Sequence, residues 1–86
     1  MYKIIWSSTS IEDLNKIKYN ISKSTFNKIV SSPKKIVFAE QFQKDEFRKD
    51  CRRIIVNNYK ILYQFSNNQI NIIRVFNTSH NPNTIL

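Results

Sequence analysis

The chain has 86 residues, 41% of them hydrophobic and 13% aromatic, which excludes intrinsic disorder and fits one small domain over residues 1–86. It contains no glycine, which excludes glycine-rich phosphate loops and the nucleophile elbow. The net charge is +8 and no acid lies beyond residue 50, so the C-terminal part suits nucleic acid or an acidic protein partner. The apolar runs are too short to span a membrane, and a single Cys51 is typical of the reducing cytoplasm.

The first two predicted elements are a strand and a helix. Alternation over Tyr2–Trp6 predicts the strand. Thr9 and Glu12 fit the spacing of a capping box, and an apolar stripe then follows a helical period. The stripe comprises Ile11, Leu14, Ile17 and Ile21.

A second helix is indicated by a change in the register of the apolar residues near Asn20. Its cap is Ser22, Ser24 or Thr25, and Pro33 ends it. We expect a short helical hairpin, with one bent helix as the alternative.

The next segment carries weaker signals. Ile36–Phe38 is apolar and is expected to pack under a loop. Residues Glu40–Asp50 are polar, with Phe42 and Phe47 as expected anchors and room for a helical turn.

Three runs of β-branched and aromatic residues follow, over Arg52–Val56, Tyr59–Phe65 and Ile70–Phe76. Asn57-Asn58 separates the first two, and Ser66–Gln69 separates the last two. Because Asn tolerates the positive φ of tight turns, the pattern predicts a three-stranded antiparallel meander.

The turns predict which side chains share a face, if Val56 lies opposite Tyr59 and Phe65 opposite Ile70. The face expected to lie under the helices comprises Arg52, Ile54, Val56, Tyr59, Ile61, Tyr63, Phe65, Ile70, Ile72, Arg74 and Phe76. The face expected to be an exposed working surface comprises Cys51, Arg53, Ile55, Lys60, Leu62, Gln64, Asn71, Ile73 and Val75.

The predicted fold is α+β, in the order β-α-α-β-β-β, with a two-helix hairpin packed on a four-stranded, mainly antiparallel sheet. An RNA-recognition motif requires a helix between the second and third strands of the meander. The short break there excludes it.

Three stretches resemble the RelE/ParE superfamily of toxins from bacterial type II toxin–antitoxin modules. YKIIWS before a capped helix is similar to the family's opening, RRIIVNNYKILYQF to its central hairpin, and INIIRVFNTSHNP to its last strand and exit. The exit resembles that of ParE-like members. The resemblance covers nearly the whole chain and implies a basic toxin that forms a hetero-oligomer with an acidic antitoxin.

The resemblance also implies two classes of target. RelE-like members cut messenger RNA on the ribosome, and ParE-like members poison DNA gyrase. Arg53 and Lys60 match basic positions of the ribonuclease face, with His80 as the acid/base candidate. Ile55 stands where another Lys is frequent, and Asn77-Thr78 replaces a frequent His-Arg pair.

The site residues expected for target binding are Arg53, Lys60, Asn77 and His80, and the catalytic candidates of a nuclease are Arg53, Lys60 and His80. Cys51 is interpreted as a packing residue. Arg52 and Arg74 are interpreted as ion-pair partners, with Glu12 or Asp13 as the acid. No metal or cofactor is expected.

We therefore predict a cytoplasmic toxin, with the missing ribonuclease residues favouring gyrase as its target. The alternatives are a ribosome-dependent endoribonuclease, a degenerate toxin that binds only its antitoxin, and a basic nucleic-acid-binding module.

Overall fold

The computed structural model describes residues 2–79 and has the predicted order β-α-α-β-β-β. A short 3-10 helix follows the second α-helix. The elements are β1 (Lys3–Trp6), α1 (Ser8–Ile17), α2 (Lys23–Ser31), η1 (Ser32–Lys35), β2 (Arg52–Val56), β3 (Tyr59–Ser66) and β4 (Gln69–Asn77).

The strands form one mixed sheet in the order β1-β4-β3-β2. β1 lies parallel to β4, and the meander β2-β3-β4 is antiparallel. The predicted α+β fold is therefore confirmed, and β1 and β2 are the two edges of the sheet.

Serine side chains start both α-helices. Ser7 caps α1 by accepting a hydrogen bond from the Ser10 N–H, so the predicted capping box at Thr9 is wrong. Ser22 caps α2 in the same way, which confirms one of the three predicted caps. Within residues 2–79 no helix is long and apolar enough to cross a membrane.

Asparagines with positive φ make the two hairpin turns. Asn57 has φ of 52°, and Asn67 and Asn68 have φ of 51° and 61°. The predicted pairs Val56–Tyr59 and Phe65–Ile70 are present, because Asn accepts this left-handed backbone more readily than most residues.

The main core lies between the sheet and the helices. Ile61, Tyr63, Ile70 and Ile72 are fully buried there, together with Ile29 of α2. The Tyr63 hydroxyl donates to the Ala39 carbonyl at 3.0 Å. The helix-covered face is therefore mostly the one that the alternation predicts.

A β-bulge in β4 changes the faces near its C-terminal end. The register shifts between Leu62 and Tyr63, so Ile61 lies opposite Val75 instead of Arg74. Val75 then packs in the helix-covered core, and Phe76 packs on the other face. The predicted faces of Val75 and Phe76 are wrong because a bulge inserts one residue into the alternation.

Residues 39–51 form a loop, called here the cover loop, without the predicted helical turn. Phe42 packs against the main core, but Phe47 is 57% exposed and is a weaker anchor than expected. Before the loop, Ile36 is buried, whereas Val37 and Phe38 are exposed, so only part of the predicted packing of Ile36–Phe38 is present.

Candidate functional site

The cover loop wraps around the edge strand β2 and reaches the face that the helices leave open. Its backbone pairs with the start of β2 through two hydrogen bonds. The Arg53 N–H donates to the Gln43 carbonyl at 3.0 Å, and the Asp45 N–H donates to the Cys51 carbonyl at 2.9 Å. Lys44 therefore forms an isolated antiparallel bridge with Arg52.

The two arginines of β2 hold the cover loop. Arg52 Nη1 donates to the Phe42 carbonyl at 2.8 Å, and Arg53 Nη1 donates to the Lys44 carbonyl at 2.7 Å. Arg53 Nη2 also reaches Gln43 Oε1 at 3.3 Å. Arg52 thus bonds a carbonyl, and the acid partner expected for it is wrong.

Lys60 of β3 is buried beneath the cover loop. Its Nζ lies 2.7 Å from Asp45 Oδ1, and the residues are 6% and 1% exposed. The same ammonium lies 5.3 Å from the ring centre of Phe47 and 5.9 Å from that of Phe76, within cation–π range. An ion pair and two aromatic rings therefore surround the charge of Lys60.

The carboxylate of Asp45 organises the loop around this pair. Its Oδ2 accepts hydrogen bonds from the backbone N–H groups of Phe47 and Arg48, at 3.0 and 2.9 Å. Burial by itself raises the pKa of Asp45, but the bonds from Lys60 and from these two N–H groups outweigh it and lower the pKa below its ordinary value.

The open face is therefore less exposed than the sequence suggests. Leu62, Phe76 and Cys51 are buried in a second, smaller cluster on this face, and Lys60 lies beside them. Ile55 stays 51% exposed and Arg53 half-buried. The expectation that Lys60 lies on an exposed working surface is wrong, because the loop supplies Asp45 and Phe47 to cover it.

The structure brings together only some of the predicted site residues. Arg53 and Lys60 both contact the cover loop. Asn77 lies opposite Tyr59, next to the Lys60–Phe76 pair in the sheet, but it borders a groove under α1 on the helix side. Its Oδ1 accepts from the N–H and the hydroxyl of Ser79 at 2.9 and 2.7 Å. His80 lies outside the described residues.

The ion pair predicted for Arg74 is present, with Asp13 of α1. Arg74 Nε donates to Asp13 Oδ2 at 2.9 Å and Nη2 to Oδ1 at 3.2 Å. The same carboxylate accepts from the Val75 N–H at the bulge, at 2.9 Å. This pair therefore attaches α1 to the irregular part of β4.

Cys51 is 2% exposed, which confirms its interpretation as a packing residue. Burial raises the pKa of its thiol, which makes it a poor nucleophile at neutral pH. Among residues 2–79 no group of three His, Cys, Asp or Glu side chains is placed to hold a metal ion.

Asp45 is the residue that sequence reasoning missed at this site. A local signal exists, since an Asp that accepts from the N–H groups two and three residues later is a known turn pattern. Its partner Lys60 is far away in the sequence, so the pair emerges only in the fold. Asp45 neutralises the buried charge of Lys60, and the side chains of Arg53, Phe47 and Ile55 remain at the surface.

The fold is similar to that of several solved structures, toxins among them. The isolated RelE toxin of Escherichia coli has 12% identity and a TM-score of 0.70, covering 99% of this chain and 93% of that one. A conserved hypothetical protein of Helicobacter pylori has 20% identity and a TM-score of 0.66, covering 93% and 98%. The RelBE2 toxin–antitoxin complex of Mycobacterium tuberculosis has 16% identity and a TM-score of 0.62, covering 88% and 96%.

The sequence comparison is more specific than the fold comparison. No curated protein sequence matches the chain. Residues 4–82, however, match the family described as ParE toxin of type II toxin-antitoxin system, parDE. Because this match spans most of the chain, the protein belongs to the ParE toxin family, within the RelE/ParE superfamily of type II toxin–antitoxin toxins.

Proposed function

We propose that this toxin inhibits growth by binding DNA gyrase and not by cleaving RNA. The observation that carries the proposal concerns Arg53 and Lys60, the two cations that match basic positions of the ribonuclease face. Both are already bound by groups of the protein itself. Lys60 is buried against Asp45, and Arg53 donates to backbone and side-chain oxygens of the cover loop.

RNA cleavage requires cations that approach the phosphate and groups that transfer protons. A lysine paired at 2.7 Å with a buried carboxylate meets a phosphate only after that pair has separated. Breaking such a pair is costly, because it leaves a buried charge without compensation. The match to ParE toxins over residues 4–82 supports the same conclusion.

The proposed partner in the inactive state is an acidic antitoxin, bound as a hetero-oligomer in the cytoplasm. The net charge of +8 supports an acidic partner. Two solved structures with a similar fold are toxin–antitoxin complexes, RelBE2 of Mycobacterium tuberculosis and RelB-RelE of Methanococcus jannaschii.

The test is pulse-labelling of DNA and protein synthesis in bacteria just after the toxin is induced, together with a supercoiling assay of purified gyrase. We expect DNA synthesis to fall first and supercoiling to be inhibited. The variant His80→Ala should keep full toxicity. An earlier fall in protein synthesis, with toxicity lost in His80→Ala, would favour the endoribonuclease, and normal growth would indicate a degenerate toxin.

A further inference from the structure

We propose that the turn at Val37 and Phe38 is a membrane-binding tip, which inserts these two side chains into the interface of a lipid surface with anionic phosphate headgroups. The proposal goes beyond the proposed function and does not depend on gyrase. It follows from the exposure of this apolar pair, from the hydrogen bonds that fix the turn, and from the lysines beside it.

Val37 and Phe38 form an exposed apolar pair. Val37 is 78% exposed and Phe38 is 53% exposed. Among the exposed large hydrophobic residues of the described range 2–79, these two alone are adjacent in the sequence. Single exposed apolar side chains are normal at a protein surface, whereas contiguous ones indicate a surface that contacts an apolar partner.

The backbone of the turn holds this pair outward. The residues on either side, Ile36 and Ala39, are both buried. The side chain of Gln41 closes the turn, because its Oε1 accepts from the Val37 N–H at 2.7 Å and its Nε2 donates to the Lys35 carbonyl at 3.1 Å. The exposed pair is therefore fixed at both ends, and little backbone freedom is lost when it binds a surface.

The pair stands on a projecting part of the surface. Three grooves border the turn, and its base contributes Lys34, Lys35 and Ala39 to one groove each. Neither Val37 nor Phe38 lines any of these three grooves. A lipid interface accepts projecting apolar side chains without a complementary pocket, whereas the apolar anchors of a protein contact are buried in pockets of the partner.

The charges around the turn select an anionic membrane. Residues 34–44 contain Lys34, Lys35 and Lys44 but only one acid, Glu40, and all four side chains are exposed. Lysine side chains are long enough to hold their ammonium groups among the lipid phosphates while an apolar tip lies deeper. A second copy of this chain fits poorly on the turn, because each copy carries a net charge of +8.

The test is flotation of the chain with vesicles of equimolar phosphatidylcholine and phosphatidylglycerol, and with vesicles of phosphatidylcholine alone. We expect saturable binding to the anionic vesicles and binding about tenfold weaker, or none, to the neutral ones. A chain that does not bind the anionic vesicles, or that binds both kinds equally, would overturn the proposal.

The first pair of variants tests the apolar tip. Val37→Ser with Phe38→Ser changes only exposed side chains, so this variant should fold and should bind the anionic vesicles about tenfold less tightly. The matched control Ile11→Ser with Tyr19→Ser removes an aliphatic and an aromatic side chain that are 46% and 81% exposed, and should bind as the natural chain does. Equal binding by the two variants would overturn the proposal.

The same variant separates a membrane from a protein partner. If the natural chain does not bind vesicles and Val37→Ser with Phe38→Ser fails to co-purify with the antitoxin, the pair is a protein contact and the proposal is overturned. Binding of the antitoxin by this variant, together with weaker binding to vesicles, supports the membrane.

The second pair of variants tests the lysines. Lys34→Gln with Lys35→Gln should weaken binding to the anionic vesicles about tenfold or more. The control Lys16→Gln with Lys18→Gln makes the same change of net charge at the end of α1 and should weaken binding much less. Equal weakening in both would reduce the effect to net charge and overturn the proposal.

A third variant, Phe38→Trp, measures insertion. Its fluorescence emission should shift to shorter wavelength on the anionic vesicles, and by more than that of the natural chain, in which Trp6 is the only tryptophan. Binding without this additional shift would mean that charge alone holds the chain at the surface, and would overturn insertion. None of these measurements involves gyrase, so their failure is distinguishable from failure of the proposed target.

Discussion

The two faces of the sheet are covered by elements that are held in place by different kinds of interaction. Helices cover one face with a continuous apolar core around Ile61, Tyr63 and Ile72. The cover loop covers part of the other with a small cluster, the Asp45–Lys60 pair and the bond from Arg53 to the Lys44 carbonyl. Apolar burial contributes in proportion to area, whereas a buried ion pair depends on both partners being present. We therefore expect the faces to respond differently to substitution.

The largest expected effect is in the helix-covered core. Ile61 and Leu62 are neighbours in β3, both fully buried, but on opposite faces. Ile61→Ala should lower the free energy of unfolding by about 4 kcal/mol, and Leu62→Ala by about 2–3 kcal/mol, because the loop can collapse onto the smaller side chain. Urea unfolding measures both values. An equal or larger loss of unfolding free energy for Leu62→Ala would contradict the expected difference between the two faces.

The second effect tests the ion pair. Lys60→Ala leaves Asp45 buried without its cation and should cost about 3 kcal/mol. The double variant Lys60→Met with Asp45→Asn keeps side-chain volume and an oxygen for the turn, so it should recover most of that loss. Urea unfolding and hydrogen exchange of the loop amides are the measurements. If the double variant is less stable than Lys60→Ala, the loss in Lys60→Ala does not come from an uncompensated charge on Asp45.

A smaller effect is expected on the pH dependence of stability. Because the folded pKa of Asp45 is lowered, the stability that its carboxylate contributes is complete above the unfolded pKa, about 3.9, and is lost as the pH falls through the folded value. The difference in stability between the natural chain and Asp45→Asn should therefore be constant near neutral pH and shrink below about pH 4. A difference that changed between pH 6 and 8 would implicate another group.

How far the sequence predicts the molecule differs between the two faces. The alternation and the Asn turns predict the register through Tyr63–Ile72, because both signals are local. The bulge is not predictable from the pattern, since apolar residues Ile73 and Val75 suit either face. The alternation predicts the correct face for Lys60, but its burial depends on Asp45, whose approach is decided by the tertiary fold.

The candidate site was predicted in part. Arg53 and Lys60 lie together, as the hairpin register requires, and Arg74 pairs with Asp13 as expected. Asn77 is next to the Lys60–Phe76 pair in the sheet but lies on the helix side, because the bulge shifts the alternation of β4 by one residue. Charge and spacing thus predict Arg53 and Lys60 as the cations of the site. Only the fold shows which oxygen atoms of the protein already bind them.

The smallest expected effect concerns the exposed pair of the cover loop. Arg48 Nε lies 3.1 Å from Asp50 Oδ1, and both side chains are partly open to solvent. Arg48→Ala should cost less than about 0.5 kcal/mol in urea unfolding, since solvent and salt weaken such pairs. The carboxylate keeps a bond from Gln64 Nε2 at 3.0 Å, which limits the loss further. A loss as large as that of Lys60→Ala would mean that surface charges hold the loop, and the buried Asp45–Lys60 pair would no longer explain why it covers this face.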